Sequence, residues 1–332
     1  MRRLLDVVAA FRGRRIVVVG DFVCDEFVHG DIARVSREAP VLILEHARTE
    51  VLPGGAGNAV ANLRALGASP VPIGVVGGDP AGRALLAALR AAGVRTSGIR
   101  VERGYGTPTK SRVLAGGVHT RRQQIVRIDR GARHGDLPDG ALARVASRLA
   151  AAVKGADALL VADYGYGAAP PSLLAGMPRR IAPPIVTVDS RERVARFRRV
   201  TACTPNQEEV ERALSLSRPP GDRAVAAAAR ALIARTGNDA VVVTRGAKGM
   251  VLVTRGGKPK ALPAFGAGEV ADVTGAGDTV IAVFTLACAS GASFAEAAEL
   301  ANVAAGLVVM KYGTATVSPR ELIRAIREGA SA

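Results

Sequence analysis

The sequence predicts an α/β fold: a mostly parallel sheet with helices on both faces and a small β-sheet lid beside it. Three observations predict it. Short β-branched apolar runs alternate with Ala-rich helical patterns along most of the 332 residues. The runs are continuous rather than alternating, as in strands buried on both faces. Two stretches, residues 22–50 and 107–130, break that rhythm with the alternation of half-exposed strands.

Taken in order, strands are expected at 16–19, 71–76, 158–161, 185–188 and 240–244, with a further one at 250–254. Helices are expected at about 58–66, 79–92, 139–152, 207–215, 222–236, 275–289, 294–310 and 319–328. The two irregular stretches hold the alternating segment 41–45 and the runs 112–114 and 124–129, the last two separated by Gly116-Gly117. They read as antiparallel strands outside the main sheet. They flank a glycine cluster at 53–57, so they would form a lid over a site. Ligands of such sheets bind beyond the carboxyl ends of the strands.

Composition narrows the function. Hydrophobic residues make up 48% and charged residues 22%, an ordinary globular balance with room for a sizeable core. Aromatics are only 3%, with no Trp, so Ala, Val and Leu must fill that core. Lysine and arginine total 45 against 29 acids, a formal net charge of +16 that attracts phosphates of any kind. Much of it is arginine scattered over expected surfaces, such as Arg121, Arg122, Arg196 and Arg198, and reads as a solvated face. Scarce aromatics and the lack of a recognition module argue against a nucleic-acid partner. Three cysteines far apart and four histidines make neither a disulfide framework nor a zinc spacing. The start, Met1-Arg2-Arg3-Leu4-Leu5-Asp6, carries a charge inside its short apolar run, unlike a signal peptide. A cytoplasmic protein with no membrane partner is expected.

The run Asp272-Val273-Thr274-Gly275-Ala276-Gly277-Asp278 precedes a long uncharged stretch, residues 279–295. Glycines at 275 and 277 let consecutive N–H groups point at one spot. The apolar stretch reads as a buried helix whose N-terminus adds partial positive charge there. Asp278 then sits in the first turn, beside whatever anion the amides hold. Amides beside a carboxylate suit phosphoryl transfer, the amides taking developing charge and the carboxylate taking a hydroxyl proton. A glycine turn with Asp capping a core helix would look the same.

Four further clusters add to this. Pro53-Gly54-Gly55-Ala56-Gly57-Asn58 opens a helix, where close backbone approach and the Asn58 amide suit a polyol. Gly20-Asp21, with Asp25 four residues on, closes the first strand with carboxylates that can accept sugar hydroxyls. Asn206 and Glu209 lie on one side of a first helical turn, where they could order water around Mg²⁺ or simply form a capping box. Thr244-Arg245-Gly246-Ala247-Lys248-Gly249 joins two strands at a position suited to nucleotide contacts. No Gly-x-x-x-x-Gly-Lys-Ser/Thr and no dinucleotide fingerprint is present.

In this order and spacing the pieces resemble the ribokinase-like (PfkB) carbohydrate kinases over almost the whole chain. Within that family the chain looks most like the kinases of D-glycero-D-manno-heptose 7-phosphate. The runs that carry this are Ser36-Arg37-Glu38-Ala39-Pro40-Val41, Thr109-Lys110-Ser111-Arg112-Val113 and Gln123-Gln124-Ile125-Val126-Arg127-Ile128-Asp129, with Ala162-Asp163-Tyr164-Gly165 and Gly313-Thr314-Ala315-Thr316-Val317-Ser318-Pro319. The loop Asp189-Ser190-Arg191-Glu192 departs from the Asp-Pro-Lys pattern of that branch. The nucleotidyltransferase domain often fused to such kinases does not follow, so a single-function version, or a relative with another sugar, is expected.

The resemblance implies one ribokinase-like domain, a three-layer αβα fold over residues 1–332. Asp278 would be the catalytic base, with the amides of Gly275, Ala276 and Gly277 as the anion hole. Asp25, Gly54, Gly55, Asn58 and Asp163 would hold the sugar. Asn206 and Glu209 would serve Mg²⁺ and the phosphates, and Thr244, Gly246, Gly277 and Asn302 the ATP pocket. Asp272 and Thr274 resemble a monovalent-cation loop, which K⁺ could fill, the preferred ion being left open by the sequence. Lys110 and Arg112 are two apart on an expected strand and point together. With Arg127 they could grip a substrate phosphate or be exposed lid charges. Lid edges favour pairing, so a homodimer through the lid is expected. A kinase for another sugar, a sugar acid or a nucleoside, and a non-catalytic sugar-phosphate sensor, remain alternatives.

Overall fold

The computed structural model describes residues 1–116, 123–133, 135, 137–216, 221–266 and 271–329. Gly117, Arg121 and Arg122 of the expected lid lie outside them. The chain runs α1 (Arg2–Ala9), β1 (Arg15–Gly20), β2 (Phe22–Val35), β3 (Leu42–Gly55), α2 (Ala56–Ala65), β4 (Ser69–Gly77), α3 (Pro80–Ala91) and β5 (Ile99–Glu102). Next come β6 (Thr109–Gly116), β7 (Gln123–Arg130), α4 (Ala141–Ala152), β8 (Ala158–Asp163), α5 (Pro171–Ala175), β9 (Ile185–Ser190) and β10 (Ala202–Cys203). Then follow α6 (Gln207–Leu214), α7 (Gly221–Thr236), β11 (Ala240–Thr244), β12 (Met250–Thr254), β13 (Lys260–Leu262), α8 (Ala276–Ala289), α9 (Phe294–Val308) and α10 (Pro319–Gly329).

The larger sheet has the order β13-β12-β11-β10-β9-β8-β1-β4-β5. All its neighbours pair in parallel except β11 with β12 and β12 with β13. Its two faces bury separate cores, as expected of a three-layer fold. Ile16 and Val18 of β1 pack with Leu63 of α2, Phe284 of α8 and Leu300 of α9, whereas Val17 and Val19 pack with Leu149 of α4 and Leu232 of α7. Burying each such aliphatic or aromatic side chain contributes about 1.5–3 kcal/mol. Helix α8 is buried from Asp278 through Cys288, which is why its sequence is apolar all round rather than striped.

The chain leaves β1 toward β4 and β5 on one side and later returns to β8, β9 and β10 on the other. The strand order therefore reverses between β1 and β8, and a crevice opens there beyond their carboxyl ends.

The second, small sheet has the order β3-β2-β6-β7, and its β3 runs past residue 50 to Gly55, so the first glycines of the 53–57 cluster lie within the strand. One expectation is corrected. The lid strands are not all antiparallel, since β2 and β6 run parallel, with Asp25 beside Lys110 and Phe27 beside Arg112. The chain passes through α2, β4, α3 and β5 between them, and so long a crossover permits parallel pairing. Helix α1 was not expected. Its Leu4, Val7 and Val8 are buried at helical spacing, but two arginines at its start mask the pattern.

Candidate active site

Each parallel strand hands its functional residues to the crevice through the turn that follows it. After β1, Asp21 accepts hydrogen bonds from the amides of Tyr164 (2.8 Å), Tyr166 (3.0 Å) and Ala168 (2.9 Å), tying this turn to the one after β8. Burial pushes its carboxyl up to about 6. Asp21 thus shapes the crevice wall. Asp25 lies further on, inside lid strand β2 rather than at a strand end of the main sheet.

Asp278 stands in the first turn of α8 and is 4% exposed. Asn58 Nδ2 donates to Asp278 Oδ2 at 3.1 Å and to the Gly275 carbonyl at 3.1 Å. The Tyr164 hydroxyl donates to Asp278 Oδ1 at 2.5 Å. Burial raises the Asp278 carboxyl to about 6, against the pull of these two donors. A base with that proton affinity is ionised at neutral pH yet still basic, which suits proton abstraction. Gly275 caps the helix at φ +78°. The first amides of a helix lack intrahelical acceptors. The Ala276 amide instead reaches the Val273 carbonyl at 3.3 Å, which weakens its place in an anion hole. Gly277 is exposed, with open space where a side chain would stand.

On the lid side, Arg112 Nη1 bonds Asp25 Oδ1 at 2.6 Å, a pair buried on both sides. A side chain at Gly54 would overlap Asp25 Oδ2, so glycine there leaves room for the carboxylate. Gly55 follows as the N-cap of α2. Lys110 Nζ lies over the Tyr164 ring, 5.3 Å from its centroid. Its burial, with Arg191 nearby, lowers the ammonium to about 8. Arg127 is brought less close. It pairs with Arg112 in register but is half-exposed, with Nε on Asp129 Oδ1 at 2.9 Å.

On the opposite side, Asn206 and Glu209 form a capping box. Asn206 Oδ1 accepts from the Glu209 amide at 2.9 Å, and the Asn206 amide donates to Glu209 Oε2 at 2.8 Å. The capping role is present, and burial nonetheless raises Glu209 to about 6. Asn206 bridges to Thr244 at the end of β11, so these two come together. Gly246 faces open space in the next turn. Asn302 of α9 donates to the Pro263 carbonyl at 2.7 Å. At the mouth of α8, Asp272 Oδ1 accepts from the Thr274 amide (2.9 Å) and Oδ2 from the Gly313 amide (3.1 Å), joining the two loops.

Asp163 is placed differently from the others. Its carboxylate is 2% exposed and taken by the Arg193 guanidinium, the Ser190 hydroxyl (2.7 Å) and the Gly165 amide (3.1 Å). It braces the turns after β8 and β9 instead of offering an oxygen to a ligand. Two site residues escaped the sequence reading. Tyr164 was noted only as part of a resembling run. Arg191 was read only as one of the scattered surface arginines and as part of a departing loop, yet its guanidinium lies 4.6 Å from the Tyr164 ring centroid, and Asp278, Asp189 and Glu209 hold its charge. An arginine directly after a strand end, in a loop that breaks a family pattern, was the available signal.

The chain compares closely with known proteins. The pfkB family of carbohydrate kinases matches residues 14–162 and 182–321. The Bifunctional protein HldE of Geobacter sulfurreducens is 40% identical over 310 residues, covering 92% of this chain and 62% of that protein. The protein of the same name from Mesorhizobium japonicum is 41% identical over 323 residues, covering 96% and 63%. The chain therefore spans less than two thirds of the length of these relatives. Among solved structures, phosphofructokinase-2 of Escherichia coli in complex with potassium superposes with a TM-score of 0.76 at 17% identity, covering 96% of this chain and 99% of that one. Arabidopsis thaliana ribokinase complexed with ribose and ATP gives 0.69 at 20%, covering 95% and 99%, and both show a shared ribokinase-like fold. With the crevice, the glycine-capped helix and these matches together, the chain belongs to the pfkB family of carbohydrate kinases.

Proposed function

We propose that this chain is an ATP-dependent kinase that phosphorylates the anomeric hydroxyl of a heptose 7-phosphate, with residues 1–332 acting as one kinase domain. The observation that carries the phosphotransferase reading is Asp278, a buried carboxylate in the first turn of α8 with a donor on each oxygen. The acceptor hydroxyl attacks the γ-phosphorus of ATP and its proton passes to Asp278. The bond from that phosphorus to the bridging oxygen breaks, and ADP leaves. Charge developing on the phosphoryl oxygens is met by the amides of Gly275, Gly277 and Asp278 and by Arg191. Thr244, Gly246 and Asn302 border the nucleotide end. Mg²⁺ would arrive with the phosphates and be held on Glu209, with Asp189 nearby. Such an ion needs only one or two carboxylates beside phosphate oxygens, and no cluster of three or more metal-binding side chains exists among the described residues. A monovalent cation would sit by Asp272 and Thr274. The buried Thr314 hydroxyl beside Gly275 has no hydrogen-bond partner among the described residues, as expected of an oxygen kept for an ion.

The heptose reading rests on the resembling sequence runs and on the likeness to the HldE proteins. It is supported by a cavity of about 430 Å³ between lid and body, bordered by Phe27, His29, Arg48, Arg112 and Tyr312. Arg112 links this cavity to Asp25, so a sugar phosphate could lie there with its other end toward Asp278. A panel of sugars, sugar phosphates and nucleosides in an ADP-release assay tests the substrate. The heptose assignment fails if heptose 7-phosphate is inert while an unphosphorylated sugar turns over. Arg48→Ala is expected to raise the KM for the phosphorylated acceptor by about ten- to a hundredfold, the loss of one charged hydrogen bond, with the KM for ATP unchanged.

The lid also supports a homodimer. Val126 and Ile128 of β7 are exposed and pair in register with Val113 and Ser111, on the face opposite Lys110 and Arg112. An exposed apolar sheet face of this kind favours a second copy as its cover. Ile128→Glu is expected to halve the mass measured by sedimentation. A monomeric wild-type protein would remove this part of the reading.

A further inference from the structure

We propose that Tyr164 is a positioning residue for the base: its hydroxyl holds Asp278 in one orientation while its ring seats a cation from the lid and another from the body. The inference rests on the assignment of Asp278 as the base and extends it. The hydroxyl donates to Asp278 Oδ1 at 2.5 Å, and Asn58 takes the other oxygen at 3.1 Å. With one donor on each oxygen the carboxylate plane is fixed, and lone pairs remain for an incoming hydroxyl. The phenol itself stays protonated, because burial and the Asp278 charge raise it well above its usual range. It can only donate. That bond favours the ionised base.

The ring supplies the second half. Lys110 Nζ approaches it to 5.3 Å from lid strand β6, and the Arg191 guanidinium to 4.6 Å from the turn after β9. Both distances fit attraction between a cation and an aromatic face. One side chain, fixed after β8, thereby joins the base, the lid and the body arginine. The other charged groups that act on Asp278 are Asp25 and Asp189, which oppose its ionisation, and Arg191 and Lys110, which favour it.

The test removes the hydroxyl and keeps the ring. In ligand-free protein, carboxyl ¹³C resonances report the Asp278 titration without reference to any acceptor. Tyr164→Phe is expected to move that titration upward by about one pH unit, a tenfold change in proton affinity. The acid limb of kcat/KM should move with it, kcat should fall, and the KM for ATP should hold. A 3-fluorotyrosine placed at 164 fills nearly the same space and donates more strongly, so it should move the titration downward and keeps the test open if the Phe variant folds poorly. In an Asp278→Asn background, Tyr164→Phe should add no further loss of kcat, whereas a merely structural role would add one. An Asp278 titration unmoved by either change overturns the proposal. Turnover surviving in Asp278→Asn alone would instead overturn the base assignment, a separate outcome.

Discussion

Asp278→Asn is expected to lower kcat by about a hundred- to ten-thousandfold, the usual contribution of a positioned general base, while ATP still binds. The amide keeps the shape of the carboxylate but cannot take the proton from the acceptor. The wild-type rate should fall as pH drops through about 6, where the raised Asp278 carboxyl becomes protonated. The same substitution should stabilise the fold, and the sign follows from linkage. Asp278 titrates near 3.8 when unfolded and near 6 when folded, so between those values the native state binds more protons than the unfolded state. Stability conferred by that difference is present at low pH and lost as pH rises through the folded value. Above it, the full penalty of a buried charge remains. Removing the charge recovers up to about 3 kcal/mol, less whatever the Tyr164 and Asn58 bonds contributed. Calorimetry at pH 8 should show a higher Tm for a nearly inactive enzyme. A variant with near-normal turnover, or a lower Tm, contradicts this account of the site.

Gly275→Ala is expected to be nearly as damaging, by a different route. Gly275 caps α8 at φ +78°, a conformation that costs a non-glycine residue about 1–2 kcal/mol. The new methyl would also overlap Asn58 Nδ2 and press on Thr314 Cγ2 at 3.1 Å. Asn58 is 0% exposed and donates to both the Gly275 carbonyl and Asp278, so it cannot move aside without releasing the base. The expectation is a kcat lower by about a hundredfold or more, the scale on which misplaced catalytic groups act, with a Tm reduced by several degrees. Gly277→Ala is the control. Open space surrounds that position, so stability should change far less, and any kinetic loss reports crowding of the phosphate. Equal effects at both glycines would show that Asn58 is not the element being displaced.

Much of the candidate site was legible because its residues follow glycines and strand ends. Gly275, Gly277 and Asp278 announced a helix mouth, and the structure places Asp278 in its first turn. Asn58 was legible as a site residue, although its amide is spent on the base rather than held free for a sugar. Asp163 illustrates the limit. An acid at the end of β8 reads as a ligand group until Arg193, thirty residues away, is seen to occupy it. Tyr164 and Arg191 were illegible as partners because a ring and a guanidinium from two turns meet only when β8 and β9 lie side by side.

Local order along the chain was enough to set the layer architecture. Continuous apolar strands must be covered on both faces, and the uncharged stretch after Asp278 had to be a core helix, whatever else the molecule contained. Pairings between distant segments were not available in this way. The parallel match of β2 with β6, the burial of Arg112 against Asp25, and the phenol on the base depend on which strands become neighbours. Burial then raises Asp278 to about 6, a change of proton affinity that comes from withdrawing it from water and that no single stretch of sequence encodes.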